Sequence, residues 1–174
     1  MTVITVSGKP GSGKSTVAEL LHEKLGISYI YSGMIFRENA KKYNMSLEEF
    51  GKFCEKNSEV DKKLDKKQLK ILKKGNVILE GRLAGWLAYH NNITSFKIFI
   101  DADLNTRVNR IINRENGDIK KRKKEILERE RSEYARYKKY YNINLDDTSI
   151  YDIVVNSTDK TPEEIVNIIL EKFQ

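Results

Sequence analysis

Residues 3–16 read VITVSGKPGSGKST, and the stretch from Gly8 to Ser15 fits the pattern G-x-x-x-x-G-K-[ST]. What flanks the pattern gives it meaning. Val3 to Val6 is a short apolar run of the kind that forms a buried parallel strand. From Ser15, the residues Val17, Leu20, Leu21 and Leu25 recur at helical spacing, and Gly26 supplies a C-terminal stop. A glycine loop between a buried strand and a helix is a phosphate-binding loop. Its glycines let backbone N–H groups turn inward around phosphate oxygens, and the helix N-terminus adds positive potential. Gly8, Lys9, Pro10, Gly11, Ser12, Gly13, Lys14, Ser15 and Thr16 are thus the candidate site for a nucleoside triphosphate. Lys14 is placed to reach the β- and γ-phosphates, and the Ser15 hydroxyl to ligate Mg²⁺.

Outward from this loop the chain alternates. Tyr29-Ile30-Tyr31 is a second strand, Val77-Ile78-Leu79 a third, Phe96 to Ile100 a fourth and Ile153-Val154-Val155 a fifth. Ser46-Leu-Glu-Glu49 is a capping box that opens a helix burying Leu47, Phe50 and Phe53. A helix over roughly 59–74 carries Val60, Leu64, Ile71 and Leu72 and stops at Gly75. Another starts near Asp103 with Leu104, Val108, Ile111 and Ile112 on one face. Thr161-Pro162-Glu163-Glu164 announces a last helix with the apolar stripe Ile165, Ile168, Ile169 and Phe173. Residues 115–140 hold only three aliphatics, Ile119, Ile126 and Leu127, and read as polar helical arms with little core to bury. The expectation is one α/β domain with a five-stranded parallel sheet flanked by helices, carrying two helical excursions.

The 174-residue chain is of single-domain size, 39% hydrophobic and 33% charged, with formal charge +7. The start MTVITVSG has no basic n-region or cleavage site, and no apolar run approaches the roughly 20 residues of a membrane span. A single cysteine, Cys54, excludes an internal disulfide and suits a reducing cytoplasm. No Cys/His cluster could make a zinc site. The positive charge suits polyanions without choosing among them.

The kind of cation is more informative. Lysines are scattered and often sit beside glutamates, as on a solvated helix surface, whereas all arginines except Arg37 fall between Arg82 and Arg136. Arginine presents a planar fork of donors that grips phosphate oxygens. Arg37 follows the second strand by one turn, and Arg82 follows the third by three residues. Ligands of parallel sheets bind beyond the carboxyl ends of the strands, so both should face the crevice beside the loop. Two arginines there imply a second phosphate-bearing substrate. Neither the N-K-x-D of guanine-nucleotide switches nor the acidic run of motors is present.

These segments together resemble the nucleoside monophosphate kinases, and most closely the archaeal type of cytidylate kinase. The likeness runs through GKPGSGKST, YSGMIFRENA, ILEGRLAGW, RERSEYARYKKYY and SIYDIVVNST. It implies a core of residues 1–34, 76–113 and 148–174, an acceptor-binding excursion at about 35–75 and a lid at about 114–140. It implies that Ser32 and Gly33 line the acceptor site, that Arg37 and Arg82 hold the acceptor phosphate, and that Glu80 lies near Mg²⁺ through water. Arg110 and Arg114, four apart on one face, are where related kinases stack on adenine and touch phosphate. Arg129 and Arg136, seven apart with Glu133 between them, resemble the returning lid helix, whose arginines contact the transferring phosphoryl group, and the likeness counts Glu133 among the acceptor-binding residues. Lys14, Arg114, Arg129 and Arg136 are then the catalytic candidates.

Bacterial members carry an aspartate directly after the arginine that Arg82 matches, where this chain has Leu83. Asp61 and Asp65 are candidates to accept from the cytosine amino group, beside a plainer reading as solvated helix carboxylates. The resemblance implies a Mg²⁺-dependent transfer from ATP to CMP, and to dCMP, by a cytoplasmic monomer that binds neither nucleic acid nor membrane. Two alternatives remain from the residues alone: a kinase for another monophosphate, or an RNA-associated P-loop ATPase. The run KKRKK at 120–124 lacks the stacking aromatics of a strand-binding groove and reads as a solvated lid tip.

Overall fold

The computed structural model describes residues 1–173. Strands β1 (Val3–Gly8), β2 (Ser28–Tyr31), β3 (Val77–Glu80), β4 (Phe96–Asp101) and β5 (Ile153–Asn156) form one sheet in the order β2-β3-β1-β4-β5. Every pairing is parallel. Around it, among the described residues, lie α1 (Lys14–Leu25), α2 (Ser32–Lys42), α3 (Leu47–Lys56), α4 (Ser58–Lys74), α5 (Ala84–His90), α6 (Leu104–Glu115), α7 (Ile119–Tyr141) and α8 (Pro162–Phe173). The five-stranded parallel α/β expectation holds. None of these helices is long and apolar enough to cross a membrane.

All of β1 is buried, which is why its sequence is a continuous run rather than an alternation. Its register pairs Val6 with Glu80 on β3 and Gly8 with Ile100 on β4. The ends of three strands therefore open together beside the glycine loop, where the strand order reverses. On one face Ile4, Val6, Ile78, Ile98 and Ile100 pack against Val17 and Leu21 of α1 and Ile165 and Ile169 of α8. On the other, Val3, Val77 and Leu79 meet Leu72, Trp86, Leu87 and Tyr137.

Three features depart from the sequence reading. Helix α5 was not anticipated, because Ala84, Gly85, Trp86, Leu87 and Ala88 are all buried and show no polar face to reveal a period. Leu47 and Ile168 are exposed rather than core, whereas Phe50 is fully buried. The polar arms prove to be one 23-residue helix, α7, capped by Asp118, whose side chain accepts from the Lys121 amide. It buries more than its composition suggests. Ile126 joins Val108 and Ile111, and Tyr137 enters the larger core. Its far end lies on α3, where the Tyr140 hydroxyl donates to the Glu55 carbonyl at 2.9 Å.

Candidate active site

The glycine loop is shaped by close approach to α6. Gly11 has φ +77°, and a Cβ there would sit 2.6 Å from the Arg107 carbonyl oxygen, so both conformation and space call for glycine. Arg107, 5% exposed, holds the loop from behind: its Nε donates to the Ala102 carbonyl and its Nη1 to the Pro10 carbonyl and to Glu130 of α7. Lys14 opens α1 and donates from Nζ to the Lys9 carbonyl at 2.9 Å. Burial lowers its pKa to about 8, with Arg82 and Arg129 pushing the same way and Glu80 opposing. A lysine so desolvated gains most when an anion arrives.

Glu80 ends β3 fully buried. The Tyr29 hydroxyl donates to its Oε2 at 2.6 Å, while Oε1 has no partner among the described residues. Ser15 lies close to the same phenol. No group of three His, Cys, Asp or Glu side chains surrounds this point among the described residues. A hydroxyl plus one carboxylate with a spare lone pair nonetheless fits Mg²⁺, which keeps several of its waters.

Across the cleft, side chains from distant segments converge. Arg82 Nε donates to Glu133 Oε2 at 2.6 Å and Arg129 Nε to Glu133 Oε1 at 3.2 Å. Burial pushes the Glu133 carboxyl up, yet Arg82, Arg129 and Arg136 outweigh it and hold it at about 2. Arg136 is 3% exposed, donates to Asp61 Oδ1 at 3.4 Å and lies over the rings of Phe36 and Tyr137 at 5.1 and 5.4 Å. These groups line a cleft of about 450 Å³ that also takes in the glycine loop, Ser32, Gly33 and Arg37. Ser32 is fixed by donating to the Glu80 carbonyl at 2.7 Å.

Most sequence candidates are thus brought to one place: Lys14, Ser15, Ser32, Gly33, Arg37, Glu80, Arg82, Arg114, Arg129, Glu133 and Arg136 all line the cleft. They differ in how they are held. Arg37 is exposed, and Arg114 is an exposed rim residue paired with Glu115 at 2.8 Å. Arg110 is outside the lining, donating to Ser157 Oγ and to the Ser12 and Ser157 carbonyls, so it clamps the loop to the end of β5. Asp61 and Asp65 correct the plainer reading. At 2% and 4% exposed they are buried, because α4 turns them inward on the stripe of Leu64 and Leu72. Sequence reasoning missed Tyr29, Gln68 and Arg107. A polar residue at position 68, on that same stripe, was the available signal.

A sequence profile of the cytidylate kinase-like family matches residues 3–159. The chain belongs to that family. It is 44% identical to the cytidylate kinase of Methanocaldococcus jannaschii over 96% of this chain and 94% of that one. It is 45% identical to that of Thermoplasma acidophilum over 98% and 91%. Solved structures share the fold at lower identity. An uncharacterised Eubacterium ventriosum protein aligns with TM-score 0.67 at 20% identity, covering 98% of this chain and 97% of its own. Shikimate kinase from Aquifex aeolicus aligns with TM-score 0.56 at 22%, covering 99% and 96%. Within a kinase family, a cleft with cations on both walls is suited to holding two phosphate groups facing one another.

Proposed function

We propose that the chain transfers the γ-phosphoryl group of ATP to CMP, giving ADP and CDP, with dCMP as a second acceptor. The observation that carries this is the meeting of Lys14, Arg82, Arg129 and Arg136 on one cleft. Those cations come from three separate parts of the chain, and relatives 44–45% identical to it are named cytidylate kinase.

In this reading the loop amides and Lys14 hold the β- and γ-phosphates of ATP, and Arg110 and Arg107 keep the loop in shape. Arg82 and Arg37 hold the CMP phosphate. Arg129 and Arg136, with Arg114 at the rim, stand where negative charge must be neutralised as the phosphoryl group passes. Through a loose transition state the protein has to align and neutralise rather than form bonds, and the acceptor is already an anion, so no general base is needed. Ser15 and, through water, Glu80 would hold Mg²⁺, which would supply charge neutralisation on the triphosphate. Glu133 keeps Arg82 and Arg129 in place before a phosphate arrives. Helix α7, seated on α3, covers the cleft and limits water, which would otherwise compete as acceptor. Residues 35–75 serve as the acceptor-binding excursion and 114–140 as the lid of a cytoplasmic monomer. An RNA-associated role fits less well, because the arginines face a concave cleft rather than an open surface.

The test is ADP formation from ATP and Mg²⁺ with CMP, dCMP, UMP, AMP and GMP separately, beside a control without acceptor. Turnover is expected with CMP and dCMP. Turnover that ignores every acceptor would overturn the proposal.

A further inference from the structure

Helix α4 places Asp61, Asp65 and Gln68 on the cleft wall, 2%, 4% and 7% exposed. A buried polar atom left without a partner costs about 1–3 kcal/mol. Besides Glu80 Oε1 and, on α7, Ser132 Oγ and Arg136 Nε, two atoms of α4 are in that condition among the described residues: Asp61 Oδ2 and Gln68 Oε1. Asp65 is engaged, since Tyr141 donates to its Oδ2 at 2.7 Å. Both unpaired α4 atoms are acceptors. Asp61 is held in one orientation, because its other oxygen receives Arg136 Nη1 at 3.4 Å. Gln68 Oε1 lies 3.7 Å from where a Cβ on Gly81 would stand, one residue before Arg82. A nucleotide whose phosphate rests on Arg82, with the glycine loop already filled by a triphosphate, would lie in the cleft that both acceptors line.

We propose that Asp61 and Gln68 select the acceptor base by accepting the two protons of its exocyclic amino group. This rests on the kinase reading above and adds how the base is chosen. Cytosine offers an N4 amino group, whereas uracil offers the O4 lone pairs at the same place. Uracil would leave both buried acceptors unpaired and set its carbonyl against a carboxylate. Such a mismatch rejects an analogue far more strongly than a difference in size does. The pair supplies the base contact for which Leu83 has no polar group.

Asp61→Asn tests this with a change of sign. Arg136 donates, so the amide oxygen turns toward Arg136 and the NH₂ faces the base, matching uracil. The readout is the ratio of kcat/KM for CMP to that for UMP, each pair measured in one preparation so that the active fraction cancels. Wild type should favour CMP by at least about 100-fold, and Asp61→Asn should cut that ratio by about 100-fold, with UMP no worse than before. Gln68→Met, which keeps volume and removes the acceptor, should cut it by about 10-fold and decides the matter if Asp61→Asn does not fold. Variants that lose rate on both substrates while keeping the wild-type ratio would show a structural role only and overturn the proposal. Equal use of CMP and UMP by wild type would also overturn it while leaving the kinase reading intact. No turnover with any monophosphate would defeat that reading itself.

Discussion

The two walls of the cleft are built by different means. The triphosphate wall is one contiguous loop whose donors are backbone amides, fixed by glycine conformation and by Arg107 and Arg110 behind it. The facing wall is assembled from side chains: Arg82 after β3, Asp61 on α4, and Arg129, Glu133 and Arg136 on α7. The first wall depends on local geometry and tolerates little. The second depends on long-range pairs, each of which is a separate handle on affinity, stability and pH response.

The largest effect is expected on the first wall. Lys14→Met should lower kcat by about 10³-fold, since its charge has no substitute between the phosphates, while leaving the melting temperature no lower than that of wild type. A steady-state assay beside a thermal melt checks both. On the second wall the same kind of change should act on folding. Glu133→Gln leaves Arg82, 11% exposed, and the partly exposed Arg129 without their carboxylate and should cost about 3 kcal/mol in denaturant unfolding. If Glu133→Gln left stability unchanged, the pairing of Arg82 and Arg129 through one carboxylate would have no mechanical importance.

A smaller, pH-dependent difference should follow from Asp65. Burial, with Asp61 adding to it and Tyr141 and Arg136 opposing, pushes its carboxyl up to about 7, against 3.8 for an ordinary aspartate. Between those values the folded chain binds more protons than the unfolded one, so stability must fall as pH rises from about 4 to about 7. Asp65→Asn should flatten that decline by on the order of 1 kcal/mol in unfolding measured at pH 5 and 7. The smallest effect returns to the first wall. With its pKa near 8, Lys14 is part-neutral in the free protein at that pH, and a triphosphate should recharge it. ATP binding at pH 8 should therefore take up a fraction of a proton, seen by titration calorimetry in buffers of different ionisation enthalpy and absent from Lys14→Met.

The same division explains what was legible in the sequence. The first wall is a contiguous motif, so strand, loop and helix could be placed from residues 3–25 alone. The arginines of the second wall were visible as types and spacings, and Arg129, Glu133 and Arg136 do share one face as their seven-residue separation requires. Their partners were not visible. That Arg82 meets Glu133, 51 positions away, follows from packing α7 against α3 and α6, which no local period encodes. Asp61 and Asp65 read as base-contact candidates or as solvated carboxylates, because charged residues on a lysine-rich helix usually are solvated, and only the burial of Leu64 and Leu72 turns that stripe, with Gln68, inward. Helix α5 was hidden for the opposite reason, being apolar all round.

The most direct test of two walls with separate duties is the steady-state kinetics of Arg82→Ala with ATP and CMP varied independently. The expected result is a rise of about 10- to 100-fold in KM for CMP with KM for ATP within twofold of wild type, because only the acceptor phosphate loses a partner. A matching rise in KM for ATP, or an unchanged KM for CMP, would contradict the assignment of Arg82 to the acceptor and with it the division of the cleft.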